Sequence, residues 1–329
     1  MVLAPMEGVT DEPMRAFLSQ LGGFTFCVTE FVRISHTIPG VRTFRQRVPE
    51  LEHGSRTAAG LPVQVQLLGG DPGILAEAAA VAVEAGARAV DLNFGCPART
   101  VNRHDGGATL LRHPQRIRAI VAAVRQTLPP EVPVSAKLRL GWDDPSAIHE
   151  NAERAAEGGA AWITIHGRTK AQGYRPPANW APIRDVSKRL GIPVVANGEI
   201  WTIEDLRRCQ GETGCEHFML GRGALADPTL ASAAARALGG AGVEEPGSRT
   251  PAWWLPLVLS FARISTAAGR TSDATAARIK QWLRLANHDG TLGWLDALKR
   301  RQGLEELLDH LRVLSGSVDR SARLELAPL

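Results

Sequence analysis

Cys96 stands where a thiol is not needed for packing. It closes the apolar run "AVDLNFG", is followed at once by Pro97, and opens a polar loop with adjacent glycines at 106 and 107, within "DLNFGCPARTVNRHDGGATLL" (residues 91–111). A free thiol has a pKa near about 8.5, so at neutral pH it is mostly protonated and can donate that proton. The proline fixes the turn, and the two glycines leave the loop able to move over a bound molecule. The other cysteines, Cys27, Cys209 and Cys215, read as small buried hydrophobes. Four cysteines in 329 residues make no disulfide framework. None form C-x-x-C, and the Cys209/Cys215 spacing fits no common zinc site, so no metal is expected.

Other polar side chains recur at the ends of apolar runs. Pro5, Met6 and Glu7 follow the first; Gln64 and Gln66 lie in the third; Asn93 precedes Cys96 in the fourth. Lys137 and Arg139 lie in the fifth, His166 and Arg168 end the sixth, Asn197, Gly198 and Glu199 the seventh, and Gly221, Arg222 and Gly223 the eighth. Polar groups inside apolar strands are costly unless paired, so a set at equivalent strand ends reads as a site. Glycines after the last two runs, with Arg222, suit a phosphate held by backbone N–H groups. An amide and a cation at other strand ends suit a flavin: the amide reads its pyrimidine edge and the charge stabilises its reduced form. The rival role for Lys137 is a Schiff-base amine, but nothing else in the set resembles an aldolase site. With a flavin hydride on one side of an activated C=C bond, the Cys96 thiol on the other would complete its reduction.

The elements that must position these residues are legible. Eight short runs, "VLAPM", "FTFCVTEFV", "VQVQLLG", "AVDLNFG", "VSAKLRL", "WITIHG", "PVVANGE" and "HFMLGRG", are mostly apolar with little alternation, as parallel strands covered on both faces are. Helical segments lie between them. "DPGILAEAAAVAVEAG" offers Asp71 as N-cap, Pro72 at the first helical position and a stop at Gly86; "HPQRIRAIVAAVRQTL", "DPSAIHENAERAAEGG" and "TIEDLRRCQGETG", capped by Thr202, follow. Eight βα units over residues 1–240 predict an α/β fold, a (β/α)8 TIM barrel. A doubly wound sheet would place a nucleotide loop after the first strand, and "APMEGVTDEP" lacks G-x-G-x-x-G spacing. A Gly/Pro-rich linker at 241–250 leads to three helical stretches at 251–329, predicting a small all-helical C-terminal domain. There Arg263, Arg270, Arg278, Lys280 and Arg284 face only Asp273.

The hydrophobic fraction of 44% supports one large core or one large plus one small. No signal-peptide pattern and no apolar run approaching a membrane span are present, so a soluble cytoplasmic protein is expected. A net charge of +4 and a pI of about 9.1 favour a polyanionic partner only mildly.

The motifs "LAPMEGVTD", "NFGCP", "KLRLGW", "HGRT", "ANGEI" and "GRG", in this order and across nearly the whole chain, resemble the tRNA-dihydrouridine synthases. "TEFVRIS" and "ARIKQWL" are most similar to the bacterial C-type subfamily, whose target is uridine 16 of the D-loop. The resemblance implies an FMN-bound, NADPH-using reduction of the carbon-5/carbon-6 bond of uridine in tRNA. It implies Cys96 as proton donor to carbon-5, with Pro5, Met6 and Glu7 bordering the flavin. Gln66, Lys137 and His166 would bind its ring, and Asn197, Gly198, Glu199, Gly221 and Arg222 its ribityl phosphate end. Asn93 and Arg139 would touch the target nucleotide. Arg33, Arg278, Lys280 and Gln281 would contact the tRNA, and the protein is expected to be a monomer. Arg99 departs from the family's frequent lysine, keeping charge but not hydrogen-bond geometry. Two rivals remain at this point: a dihydroorotate dehydrogenase-like FMN barrel acting on a small molecule, and a non-catalytic tRNA-binding protein.

Overall fold

The computed structural model describes residues 1–35, 37–103, 105–240 and 249–316. Among the described residues nine strands run in chain order: β1 (Val2–Leu3), β2 (Phe26–Val28), β3 (Val32–Arg33), β4 (Val63–Leu68), β5 (Val90–Asn93), β6 (Val134–Arg139), β7 (Ile163–His166), β8 (Val194–Asn197) and β9 (His217–Leu220). All pairings between these strands are parallel, β2 pairs with β4, and β1 pairs with both β2 and β9. Eight strands therefore close into a barrel with helices outside it, the expected (β/α)8 architecture.

The ninth strand is a correction. "FTFCVTEFV" was expected as one strand, but it divides into β2 and β3. The reason lies at Thr29, whose hydroxyl, not a main-chain carbonyl, accepts from the Gln66 N–H at 3.0 Å. Glu30 turns instead to accept from the Val9 N–H at 3.0 Å. The chain then rejoins β4 only at its end, where Val32 and Arg33 lie beside Leu67 and Leu68.

Helix signals hold where capping chemistry is explicit. Asp71 accepts from the Ile74 N–H at 2.9 Å and starts Pro72–Glu84. Thr202 and Asp205 form a reciprocal capping box at the head of Ile203–Thr213. Gly86 (φ +121°) ends its helix where a Cβ would stand 2.3 Å from the Leu51 carbonyl oxygen, so no side chain fits.

The C-terminal region is helical: Pro251–Ala267, Ser272–Ala286, Leu295–Lys299 and Gly303–Leu314. The last predicted stretch thus divides in two, restarting where Glu306 accepts from the Gln302 N–H at 2.7 Å and Gly303 takes φ +68°. Most of the expected linker, 241–248, and the end of the expected domain, 317–329, lie outside the described residues. The buried core runs without a break from the barrel into these helices. Phe17, on the helix Glu12–Gln20, meets Trp282 at a centroid distance of 5.1 Å and Phe261 at 5.9 Å, while the Trp282 indole N–H donates to the Leu225 carbonyl at 3.0 Å.

Part of the basic run is not a solvated face. Arg270 and Arg278 both pair with Asp11, at 2.7 and 3.2 Å. Among the described residues no helix is long and apolar enough to cross a membrane, and no cluster of His, Cys, Asp and Glu could hold a metal ion.

Candidate functional site

A cavity of about 550 Å³ opens at the C-terminal ends of the barrel strands, within the range of roughly 300–1,000 Å³ usual for small-molecule sites. The predicted Pro5, Met6, Glu7, Asn93, Cys96, Lys137, Arg139, His166, Asn197, Gly198, Glu199, Gly221 and Arg222 all line it. The parallel register brings them together: β5 places Asn93 beside Lys137 of β6, and β6 places Arg139 beside His166 of β7.

Five predicted residues stand elsewhere. Gln66 is fully buried below the cavity wall, bonded to Asp91 and Asn93. Arg33 lines a neighbouring cavity with Gly70, Asp105 and Arg116 and donates to the Thr100 carbonyl at 3.2 Å. Arg278 donates to the carbonyls of Gly8 and Val9, at 2.9 and 2.6 Å, and Gln281 donates to Gly8 at 3.0 Å. Lys280 donates to the Arg301 carbonyl at 2.5 Å. The partners of these last three are internal: Arg278 and Gln281 join the helical region to the loop that follows Glu7, while the Lys280 bond stays within the helical region.

Cys96 is held by its backbone. Its N–H and that of Gly95 both donate to the Asn93 side-chain oxygen at 2.9 Å, and its carbonyl accepts from Ala108 at 3.1 Å. Asn102 ties the same loop together, bonding the Ala98 carbonyl and the Thr109 N–H. Gly107 (φ +59°) is required for fit as well as freedom, because a Cβ there would stand 2.9 Å from the Cys96 carbonyl oxygen. Burial pushes the Cys96 thiol above its ordinary pKa, and the Glu7 charge adds to this, so it is protonated at neutral pH. Cys27, Cys209 and Cys215 are buried, with Cys27 and Cys209 pushed up to about 12 by burial.

Cations gather on the strands that follow, beginning with β6 next to β5. Lys137 donates to Asn197 at 3.0 Å; burial and the neighbouring Arg139 lower its pKa to about 8. Burial, then Arg139 and Lys137, holds His166 well below the usual histidine range, so it is neutral at pH 7. An Arg168 guanidinium N–H stands 3.2 Å from His166 Nε2; as arginine can only donate, Nε2 accepts and the ring proton lies on Nδ1. Arg168 also pairs with Glu199 at 2.6 Å, which places the predicted Glu199 as a brace for its neighbours. Arg139 braces too, donating to the carbonyls of Gly95 and Gly173 at 2.8 and 2.7 Å.

Several lining residues were not foreseen. Tyr174, the only tyrosine, is 55% exposed and lies 5.0 and 5.2 Å from the Arg139 and Arg222 guanidinium carbons. Trp201 lies 5.0 Å from Arg222 and stacks on His288 of the helical region at 4.0 Å. Leu285 closes the same wall. Aromatics in loops, such as Tyr174 and Trp201, carry no periodic signal, which is why sequence reading passes over them. Asp91 did carry one, a carboxylate inside an apolar strand.

The donor set fits a flavin nucleotide. A cationic lysine, a neutral histidine and Arg222, which has no ion pair among the described residues, all line the cavity. Gly198 (φ +111°) keeps the wall beside His166 free of a side chain, since a Cβ there would stand 2.6 Å from the His166 ring.

Comparison with known proteins gives a consistent picture. The model of the dihydrouridine synthase (Dus) family matches residues 2–246. A tRNA-dihydrouridine(16) synthase from Aquipseudomonas alcaligenes is 44% identical over 95% of this chain and 98% of its own length. One from Shewanella oneidensis is 47% identical over 87% and 88%. Among solved structures, histamine dehydrogenase from a Rhizobium species matches with a TM-score of 0.56 at 14% identity, over 80% of this chain. The chain spans about half the length of that enzyme (48%), and the likeness speaks for the fold alone.

Proposed function

As the chain belongs to the dihydrouridine synthase family, we propose that it reduces uridine to dihydrouridine in tRNA, at position 16, using FMN and NADPH. The observation that carries this reading is the Cys96 thiol on the wall of a cavity that Lys137, Arg139, His166 and Arg222 also line.

Lys137 and His166 would bind the flavin ring, and Gly198, Gly221 and Arg222 its phosphate end. The flavin's contribution when bound is a hydride for carbon-6 of the uracil, drawn from NADPH. Cys96 gives its thiol proton to carbon-5, so the double bond gains one hydride and one proton and the thiolate is reprotonated from water. Asn93 and Arg139 orient the base. Neutral His166 adds no charge beside Lys137, leaving the lysine as the cation that meets the electron-rich ring edge.

A uracil within a folded tRNA must leave its stack to enter such a cavity. Residues 1–240 form the catalytic barrel and 251–329 the part that grips the RNA, joined by 241–250. The protein acts in the cytoplasm as a monomer. Substitution Cys96→Ala tests the reading: flavin content and tRNA affinity stay, while turnover falls by about 100-fold or more, the usual loss of a general acid. Normal turnover by that variant would remove Cys96 from the chemistry.

A further inference from the structure

We propose that Asp91 is a positioning residue: through Gln66 and Asn93 it sets the placement of the Cys96 backbone and the face Asn93 turns to the cavity. This rests on the reaction proposed above. The contacts form one directed chain. The Gln66 side-chain N–H donates to Asp91 at 2.6 Å, the Asn93 side-chain N–H donates to the Gln66 oxygen at 2.7 Å, and Gly95 and Cys96 donate to the Asn93 oxygen at 2.9 Å.

The direction of the chain follows from its two ends. An ionised carboxylate only accepts, and a backbone N–H only donates, so two amides between them satisfy every link in one orientation alone. Neither amide can turn over without setting acceptor against acceptor or donor against donor. Asp91 and Gln66 are both buried, so a lost link cannot be replaced cheaply by solvent. Asn93, which lines the cavity, has one side-chain N–H with no partner among the described residues. That hydrogen suits a carbonyl oxygen, which uracil carries at carbon-4 where cytosine carries an amino donor.

Asp91 has a second donor, the Ser135 hydroxyl at 2.5 Å, itself accepting from Gln64 at 2.9 Å. That branch leads away from Cys96 and provides a control with similar burial and chemistry.

The test compares Asp91→Val with Ser135→Ala. Valine keeps strand propensity and similar volume but accepts no hydrogen bond. In Asp91→Val, kcat on tRNA falls about 20-fold or more while KM for tRNA stays within about two-fold. In the flavin-free protein, alkylation of Cys96 by iodoacetamide rises about five-fold as the loop loses its anchor. The three other cysteines are buried, which makes that readout specific. Ser135→Ala changes neither quantity beyond about two-fold, whatever its melting temperature. If Asp91→Val does not fold, Asp91→Ser, too short to reach Gln66, is held to the same expectations.

Wild-type alkylation rates in the Asp91 variant would overturn the proposal. So would parallel losses in both variants that track their melting temperatures, since that is what a purely structural buried group gives. If the wild-type protein fails to reduce tRNA, the proposed reaction falls, and the alkylation comparison alone judges Asp91.

Discussion

Gly107 packs so closely on Cys96 that a Cβ at residue 107 would lie 2.9 Å from the Cys96 carbonyl oxygen and 3.2 Å from its Cβ. With φ at +59°, the position excludes side chains on two independent grounds. The loop that carries the thiol is therefore seated, not merely hinged.

Gly107→Ala is expected to destabilise the protein by about 1–3 kcal/mol, the usual cost of left-handed backbone in a non-glycine residue. Turnover falls while flavin content is retained, because the displaced group is Cys96. A variant that melts and turns over like the wild type would show that the loop tolerates the shift.

Lys137 sets a pH dependence on cofactor affinity. Burial and Arg139 lower its pKa, to about 8, so the ammonium is present below that pH and lost as pH rises through it. FMN binding to the flavin-free protein should weaken across this window, and Lys137→Met should bind weakly with a flat profile. A sloping profile in the methionine variant would assign the titration elsewhere.

Cys96 sets a second and separate limit. Its pKa is raised, so the acid form survives to pH values above the ordinary thiol range, and turnover on tRNA falls only as pH rises through that higher pKa. Single-turnover oxidation of the reduced enzyme by tRNA measures this limb apart from flavin reduction. A fall already complete near neutral pH would contradict a protonated thiol donor.

Arg278 joins the helical region to the barrel, bonding Gly8, Val9 and Asp11. Arg278→Ala should lower the melting temperature by a few degrees, since loss of a charged, largely buried hydrogen-bonding group costs about 1.5–3 kcal/mol. An unchanged melting temperature would show that these bonds add nothing to the fold, leaving contact with the RNA as its role.

The barrel was legible because its strands are apolar runs and its helices carry explicit caps, as at Asp71 and Thr202. The site was legible because polar residues at strand ends have no packing reason to be there. The break between β2 and β3 was not, as it depends on the Thr29 hydroxyl replacing a backbone acceptor. The internal commitments of Arg278 and Gln281 were also invisible, because a basic helix reads the same whether it faces solvent or a neighbouring loop. Tyr174 and Trp201 reach the cavity through loop paths that no periodicity encodes.

The most direct test uses tRNA from cells lacking every dihydrouridine synthase, incubated with this protein and NADPH, with dihydrouridine then mapped by position. Dihydrouridine at position 16, formed by the wild type and absent with Cys96→Ala, is the predicted result. No dihydrouridine from a yellow protein that NADPH reduces would contradict the proposed activity, and dihydrouridine only at another position would contradict the assigned target.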